Sequence, residues 1–196
     1  ASAGTSNFRA GVNAGNSIVS SGNYNVVVGD EAGTAISTGD ENVFIGYQAG
    51  DALNTASANV AIGTYALSLD TKGSNSVAVG RAALANQNFT SATDSYNTAV
   101  GARAGVEVTT GVQNTLIGGL AGNALTDSDY NVAVGYGALT SDTLGARNVA
   151  VGQEALASQN FTSATNSYNT AVGMNAGRLV TTGQLNTLIG GLTGDA

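Results

Sequence analysis

Residues 97–122 read NTAVGARAGVEVTTGVQNTLIGGLAG. One phrase occurs twice in that stretch, as Asn97-Thr98-Ala99-Val100-Gly101 and again as Asn114-Thr115-Leu116-Ile117-Gly118, each followed after two residues by Ala-Gly. Aligned on its central glycine, the unit Asn-(Val/Thr)-(apolar)-(Val/Ile)-Gly-x-x-Ala-(Gly/Leu) recurs through the whole chain. The glycines are Gly11, Gly29, Gly46, Gly63, Gly80, Gly101, Gly118, Gly135, Gly152, Gly173 and Gly190, at successive spacings of 18, 17, 17, 17, 21, 17, 17, 17, 21 and 17. A longer period of 72 lies above this one, and the segments 80–122 and 152–194 match at 32 of 43 positions without a gap. Residues 1–196 therefore read as one repeat domain with no internal linker.

A period near 17 is too short for repeats made of helix pairs, which take about 33 residues or more. It suits one coil of a β-solenoid. Val, Ile and Thr fill the motif, glycine punctuates it, and no proline interrupts a strand that must be hydrogen-bonded on both sides. The predicted fold class is all-β: a parallel β-solenoid, or β-roll, of about eleven coils. At a strand spacing of about 4.8 Å the rod is roughly 50 Å long.

Each coil is numbered from its Asn. Position 2 is mostly Val or Thr (Val26, Val43, Val60, Thr98, Val132) and position 4 is Val or Ile (Val28, Ile45, Ile62, Val100, Ile117). Alternation puts these two on one face of a strand, and the reading assigns that face to the solenoid interior. Position 3 (Val27, Phe44, Ala61, Ala78, Ala99, Leu116) then points outward. Both faces are apolar or small, so both call for burial, and the natural cover for the second is another copy of the chain.

Two further regularities fix the register. Six coils with Gly at position 9 carry an apolar residue at position 12 (Ile18, Ile36, Leu53, Val108, Leu125, Val180). Four coils with Leu there (Leu67, Leu84, Leu139, Leu156) carry Asp70, Gln87, Asp142 or Gln159 instead. One large side chain per coil fills one slot, supplied from either place, since close packing penalises both a void and a double filling. Asn holds position 1 in every coil but one, where Ser76 stands, and identical amides at a fixed turn are expected to ladder along the rod.

These residues resemble a known group. NVAVG, NTAVG, NTLIG and NSVAVG, each followed by xxA(G/L), are similar to head repeats of trimeric autotransporter adhesins. The fuller phrase from Asn97 to Gly122 looks still more like repeats in tail-fibre proteins of phages and prophages. The similarity spans essentially the whole chain. It implies a left-handed β-roll that forms a homotrimer, and a place in a virion tail fibre among other fibre or virion components. The alternative is the head of an adhesin on a bacterial surface. No coiled-coil stalk, membrane anchor or fibre chaperone domain is recognisable, so the expectation is a segment, or a component that assembles with others.

Composition narrows the function classes. The chain has no His, Cys, Pro or Trp, 28 glycines in 196 residues, and 10% charged residues. The missing His and Cys exclude a thiol nucleophile, the usual zinc sites and a Ser-His-Asp triad. The acids are scattered over turns (Asp30, Glu31, Asp40, Glu41, Asp127, Asp129) rather than paired across a groove as glycoside hydrolysis requires. A net charge of −7 with six basic residues disfavours nucleic acid. The sequence contains neither an apolar run long enough for membrane insertion nor a signal-peptide pattern. The expectation is a non-enzymatic chain that needs no cofactor or metal.

Recognition is then expected at departures from the regular coil length. Two coils carry longer loops: Asn86–Tyr96 (NQNFTSATDSY) and Ser158–Tyr168 (SQNFTSATNSY). The candidate binding residues are Asn88, Phe89, Thr90 and Tyr96, and Asn160, Phe161, Thr162 and Tyr168. Aromatic rings among amides and hydroxyls suit cell-surface glycans, and weak sites repeated along a trimer act by avidity. In the other reading of the same loops, Phe89 and Phe161 fold back to cap or widen the packing between subunits. Ice or crystal-surface binding ranks third, because Thr at position 2 alternates with Val.

Overall fold

A computed structural model describes residues 4–195. It is all-β, with no helix among the described residues. The chain winds as a parallel solenoid in which each coil gives one three-residue strand to a single 11-stranded sheet. The strands are Phe8–Ala10, Val26–Val28, Val43–Ile45, Val60–Ile62, Val77–Val79, Thr98–Val100, Thr115–Ile117, Val132–Val134, Val149–Val151, Thr170–Val172 and Thr187–Ile189. Every neighbour pair is parallel and in the register of the repeat: Leu116 pairs with Ala99 on one side and Ala133 on the other. The two longer coils add small two-stranded sheets, Gly73–Ser74 with Thr93–Asp94 and Gly145–Ala146 with Thr165–Asn166.

The central glycine turns the chain out of the strand. Its φ lies near +130° in the interior coils, for example 129° at Gly118 and 134° at Gly135, a region that only glycine occupies readily. Space forbids a side chain there as well. A Cβ on Gly118 would lie 2.5 Å from the carbonyl oxygen of Gly135 in the next coil.

The strand faces are the reverse of the expected assignment. Position 3 is the interior: Val27, Phe44, Ala61, Ala78, Ala99, Leu116, Ala133, Ala150 and Ala171 are all fully buried. Positions 2 and 4 point outward, with Val26 and Val28 half-buried and Ile45 and Ile117 exposed. The cause is the thinness of the coil. Its lumen holds only a few side chains, supplied by positions 3, 8, 9 and 12, so a uniform pair of branched residues from every strand does not fit inside.

Interior volume is shared among those positions. Phe44 is flanked by Gly33 and Gly50, and a Cβ on Gly50 would come within 2.7 Å of its ring. Leu116 is flanked by Gly105 and Gly122, whose Cβ atoms would meet its methyls at 2.6 and 2.7 Å. Where position 3 shrinks to Ala61, Ala78, Ala133 or Ala150, Leu67, Leu84, Leu139 or Leu156 fills the space from position 9. Those leucines take left-handed backbone (φ 48° to 53°), a conformation unfavourable for a branched residue that the gain in packing offsets.

The asparagine column forms the expected ladder. Asn42 Oδ1 accepts from the Asn59 backbone N–H at 3.0 Å, and Asn42 Nδ2 donates to Asn25 Oδ1 at 3.0 Å and to the Ala56 carbonyl at 2.9 Å. A rung of this kind ties a strand start to a corner of its own coil and to both neighbours, while at Asn97 and Asn169 the side-chain amide donates to Gln87 and Gln159 instead of to the preceding rung. The amides are buried from Asn25 to Asn169, where such satisfaction is obligatory.

Candidate interaction surfaces

The outward strand residues make an apolar face along the sheet. From the second coil to the last, a stripe of Val, Ile and Thr, two side chains per coil, follows the 11-stranded sheet, and the first strand adds Phe8 and Ala10. All seven tyrosines of the chain border it. Tyr24, Tyr96, Tyr130 and Tyr168 stand directly before the ladder Asn, on one rim; Tyr47, Tyr65 and Tyr136 follow the central glycine, on the other. Every one of the seven is exposed. Tyr47 and Tyr65 meet edge to face at 5.6 Å between centroids. The residues of the stripe are half-buried or exposed, and an apolar face running the length of a molecule is the kind of surface at which association occurs, which makes it the candidate surface here.

One rim carries a cation between aromatic rings. The Arg147 guanidinium lies 4.5 Å from the Tyr130 centroid and 5.9 Å from that of Tyr168, in the coils before and after it. Arg147 Nε donates to Asn166 Oδ1 at 3.0 Å, which fixes the plane of the group. Its terminal nitrogens have no hydrogen-bond or ion-pair partner among the described residues.

The long loops fold differently from a presented aromatic site. Phe89 and Phe161 are each only 5% exposed. A buried carboxylate from the preceding coil holds each in place. Asp70 Oδ1 accepts the Phe89 N–H at 3.1 Å and the Gly73 N–H at 3.0 Å, while Oδ2 accepts from Gln87 Nε2 at 2.6 Å. Gln87 Oε1 in turn accepts from Asn97 Nδ2 at 2.9 Å, which joins the loop to the ladder. Asp142, Gln159, Phe161 and Asn169 repeat the arrangement under the second long loop. The polar residues at position 12 are thus as buried as the apolar ones, and they form the clamp under each loop.

Of the candidate loop residues, Asn88, Thr90, Tyr96, Asn160, Thr162 and Tyr168 are exposed, whereas the two phenylalanine rings are not. Thr71 Oγ1 donates to Asn88 Oδ1 at 3.2 Å, and Thr143 Oγ1 to Asn160 Oδ1 at 3.1 Å. Tyr96 and Tyr168 belong with the other rim tyrosines rather than with the loop tips. The surface left at the tips is polar, made of amides and hydroxyls. Sequence reasoning missed the Asp–Gln clamp, although its signal was the Asp70/Gln87 and Asp142/Gln159 pairs one coil apart.

Titratable groups show small, local effects. The hydroxyls of Thr109 and Thr110 both donate to Asp127 Oδ1, at 2.6 and 2.7 Å, and hold that carboxyl below its usual range. Burial pushes the Asp51 carboxyl up. The Glu31 carboxylate is the main influence raising the exposed Tyr47 phenol. No cluster of three metal-ligating side chains forms among the described residues. Compared with protein-family models, curated proteins and solved structures, the chain gives no match.

Proposed function

We propose that this chain is a non-enzymatic rod segment that associates with copies of itself through the outer strand face, as a homotrimer, and serves a structural and adhesive role. The observation that carries the reading is the Val/Ile/Thr stripe, which runs from the second coil to the last, with its seven bordering tyrosines. An apolar face running the length of a thin rod, with polar corners elsewhere, is what side-by-side association needs. The resemblance of the repeats to those of phage tail fibres supports a place in a virion fibre. A bacterial surface adhesin head is the second reading, on the same repeats. In either setting the exposed polar loop tips at Asn88, Thr90, Asn160 and Thr162 are the surfaces offered to cell-surface glycans.

Light scattering checks the assembly. A mass near three times that of the 19.2 kDa chain is the expected result, and a stable monomer overturns the reading. The variant Ile117→Asp/Val134→Asp places charge on the outward face and is expected to give a folded monomer. Binding of wild type and Asn88→Ala/Asn160→Ala to a glycan array addresses the loops separately: loss of a signal with the assembly intact supports them, and unchanged binding removes them.

A further inference from the structure

We propose that the two rims of the outer strand face are the seams between copies and that they pair coil for coil, with Arg147 of one copy meeting Glu154 of the next. This rests on the reading of the outer face as the self-association surface, and adds its register and its specific contacts. A closed ring of parallel rods has no axial offset between copies. The residue before the ladder Asn in one copy therefore faces the residues after the central glycine in the same coil of its neighbour.

The charges fit that pairing. In register, Arg147 faces Gln153 and Glu154, Tyr96 faces Arg103, Tyr168 faces Met174, and Leu185 faces Leu192. No coil sets like charges together. An offset of one coil in one direction places Glu41 against Asp30 and Glu31. The same offset in the other direction leaves Glu41 free of repulsion but, like the first, dissolves the Arg147–Glu154 pair.

Arg147 is prepared for a partner outside its own chain. Its guanidinium is oriented by Tyr130, Tyr168 and Asn166, and its terminal nitrogens are unused among the described residues. Such an oriented fork matches a carboxylate well. Glu154 stands past the opposite end of the strand Val149–Val151, and the two make no ion pair within one copy. Its contact within the chain is a long one, 3.9 Å to Arg178. The internal repeat supplies a control. In the equivalent coil of the earlier half, Asn75 and Ala82 replace Arg147 and Glu154, so both charges are absent together, and the cation there, Arg81, faces an amide.

The chain has no cysteine, so introduced thiols report contacts without interference. The variant Gln113→Cys/Gly119→Cys, on the two rims of one coil, is treated with a short thiol-reactive crosslinker. Covalent trimers are expected, with none from either single variant. The offset pair Gln113→Cys/Tyr136→Cys is expected to yield at least tenfold less product. Arg147→Glu and Glu154→Arg should each weaken association at least tenfold, and their combination should return it to within about threefold of wild type.

Circular dichroism confirms that each variant folds. A wild type that light scattering shows to be monomeric overturns the self-association reading and this proposal with it. A trimeric wild type whose offset pair crosslinks better than the in-register pair, or whose charge swap brings no recovery, overturns the proposal alone. Covalent dimers in place of trimers overturn the parallel ring.

Discussion

The two faces of one three-residue strand obey opposite rules. Along the interior face the residues vary widely, from Ala99 to Leu116 to Phe44, yet from Val27 to Ala171 all are fully buried. Along the outer face, from the second coil on, they hardly vary, alternating among Val, Ile and Thr, yet they remain half-buried or exposed. Uniformity is therefore no sign of the core in a coil this thin. The lumen is a shared volume, and each coil fills it from whichever position has the large side chain. The outer face packs only against its own neighbours along the sheet, and on the proposed reading its regularity suits a regular partner.

The sharpest way to break this contrast is to empty the lumen. Leu116→Ala leaves a void that the flanking Gly105 and Gly122 cannot fill, and should cost about 2–5 kcal/mol in denaturant unfolding. A loss below about 1 kcal/mol, well under the usual range for such a truncation, means that the neighbours collapse into the space and the shared-volume account fails. Overfilling is the complementary measurement. Ala133→Leu crowds Leu139 and should cost about 1–3 kcal/mol. Adding Leu139→Gly should recover most of that loss, because the double variant recreates the Leu-then-Gly arrangement of Leu116 and Gly122 and relieves a left-handed leucine.

The outer face should respond differently. Val134→Thr keeps the shape of the side chain and should change the stability of a single chain by no more than about 0.5 kcal/mol. Any larger fall in Tm should depend on protein concentration, as linkage to association requires. A concentration-independent loss would place Val134 in the fold itself.

The smallest effect concerns a corner of the coil. Asp127 has its folded pKa lowered by Thr109 and Thr110, so its contribution is present above the unfolded carboxylate pKa and is lost as pH falls through the folded value. Thr109→Val/Thr110→Val should lower Tm slightly at neutral pH, and the gap from wild type should close in acid. A gap that persists there would place the effect in packing instead.

The architecture was legible from spacing alone, because so short a period leaves room for little besides a strand and its turns. The asparagine ladder was equally legible, since it is a rule about one column. The Gly/Leu exchange at position 9 suggests a slot shared with position 12, whereas the structure buries Leu84 and Gln87 together and makes the exchange one with position 3. What the sequence did not reveal was which strand face is inside. Periodicity says that Val26 and Val28 share a side; it does not say how many side chains the lumen holds. The loop phenylalanines were ambiguous for a related reason. Phe89 is held by Asp70 from the coil before and by the glycine corner at Gly73, contacts that cross between coils and show only when the coils are stacked.

The hydrogen bonds between coils have a mechanical consequence. They run along the rod, as from the Val43 N–H to the Asn59 carbonyl and from the Gly46 N–H to the Val28 carbonyl, each 2.8 Å. Tension applied to the ends of one chain therefore loads the coil junctions in series, and the weakest junction sets the breaking force. Compression presses the same junctions together and is resisted by all of them. A single rod of this design is a stiff spacer and a poor cable. Copies bound side by side would share the tension at every level, so that no one junction carries it alone.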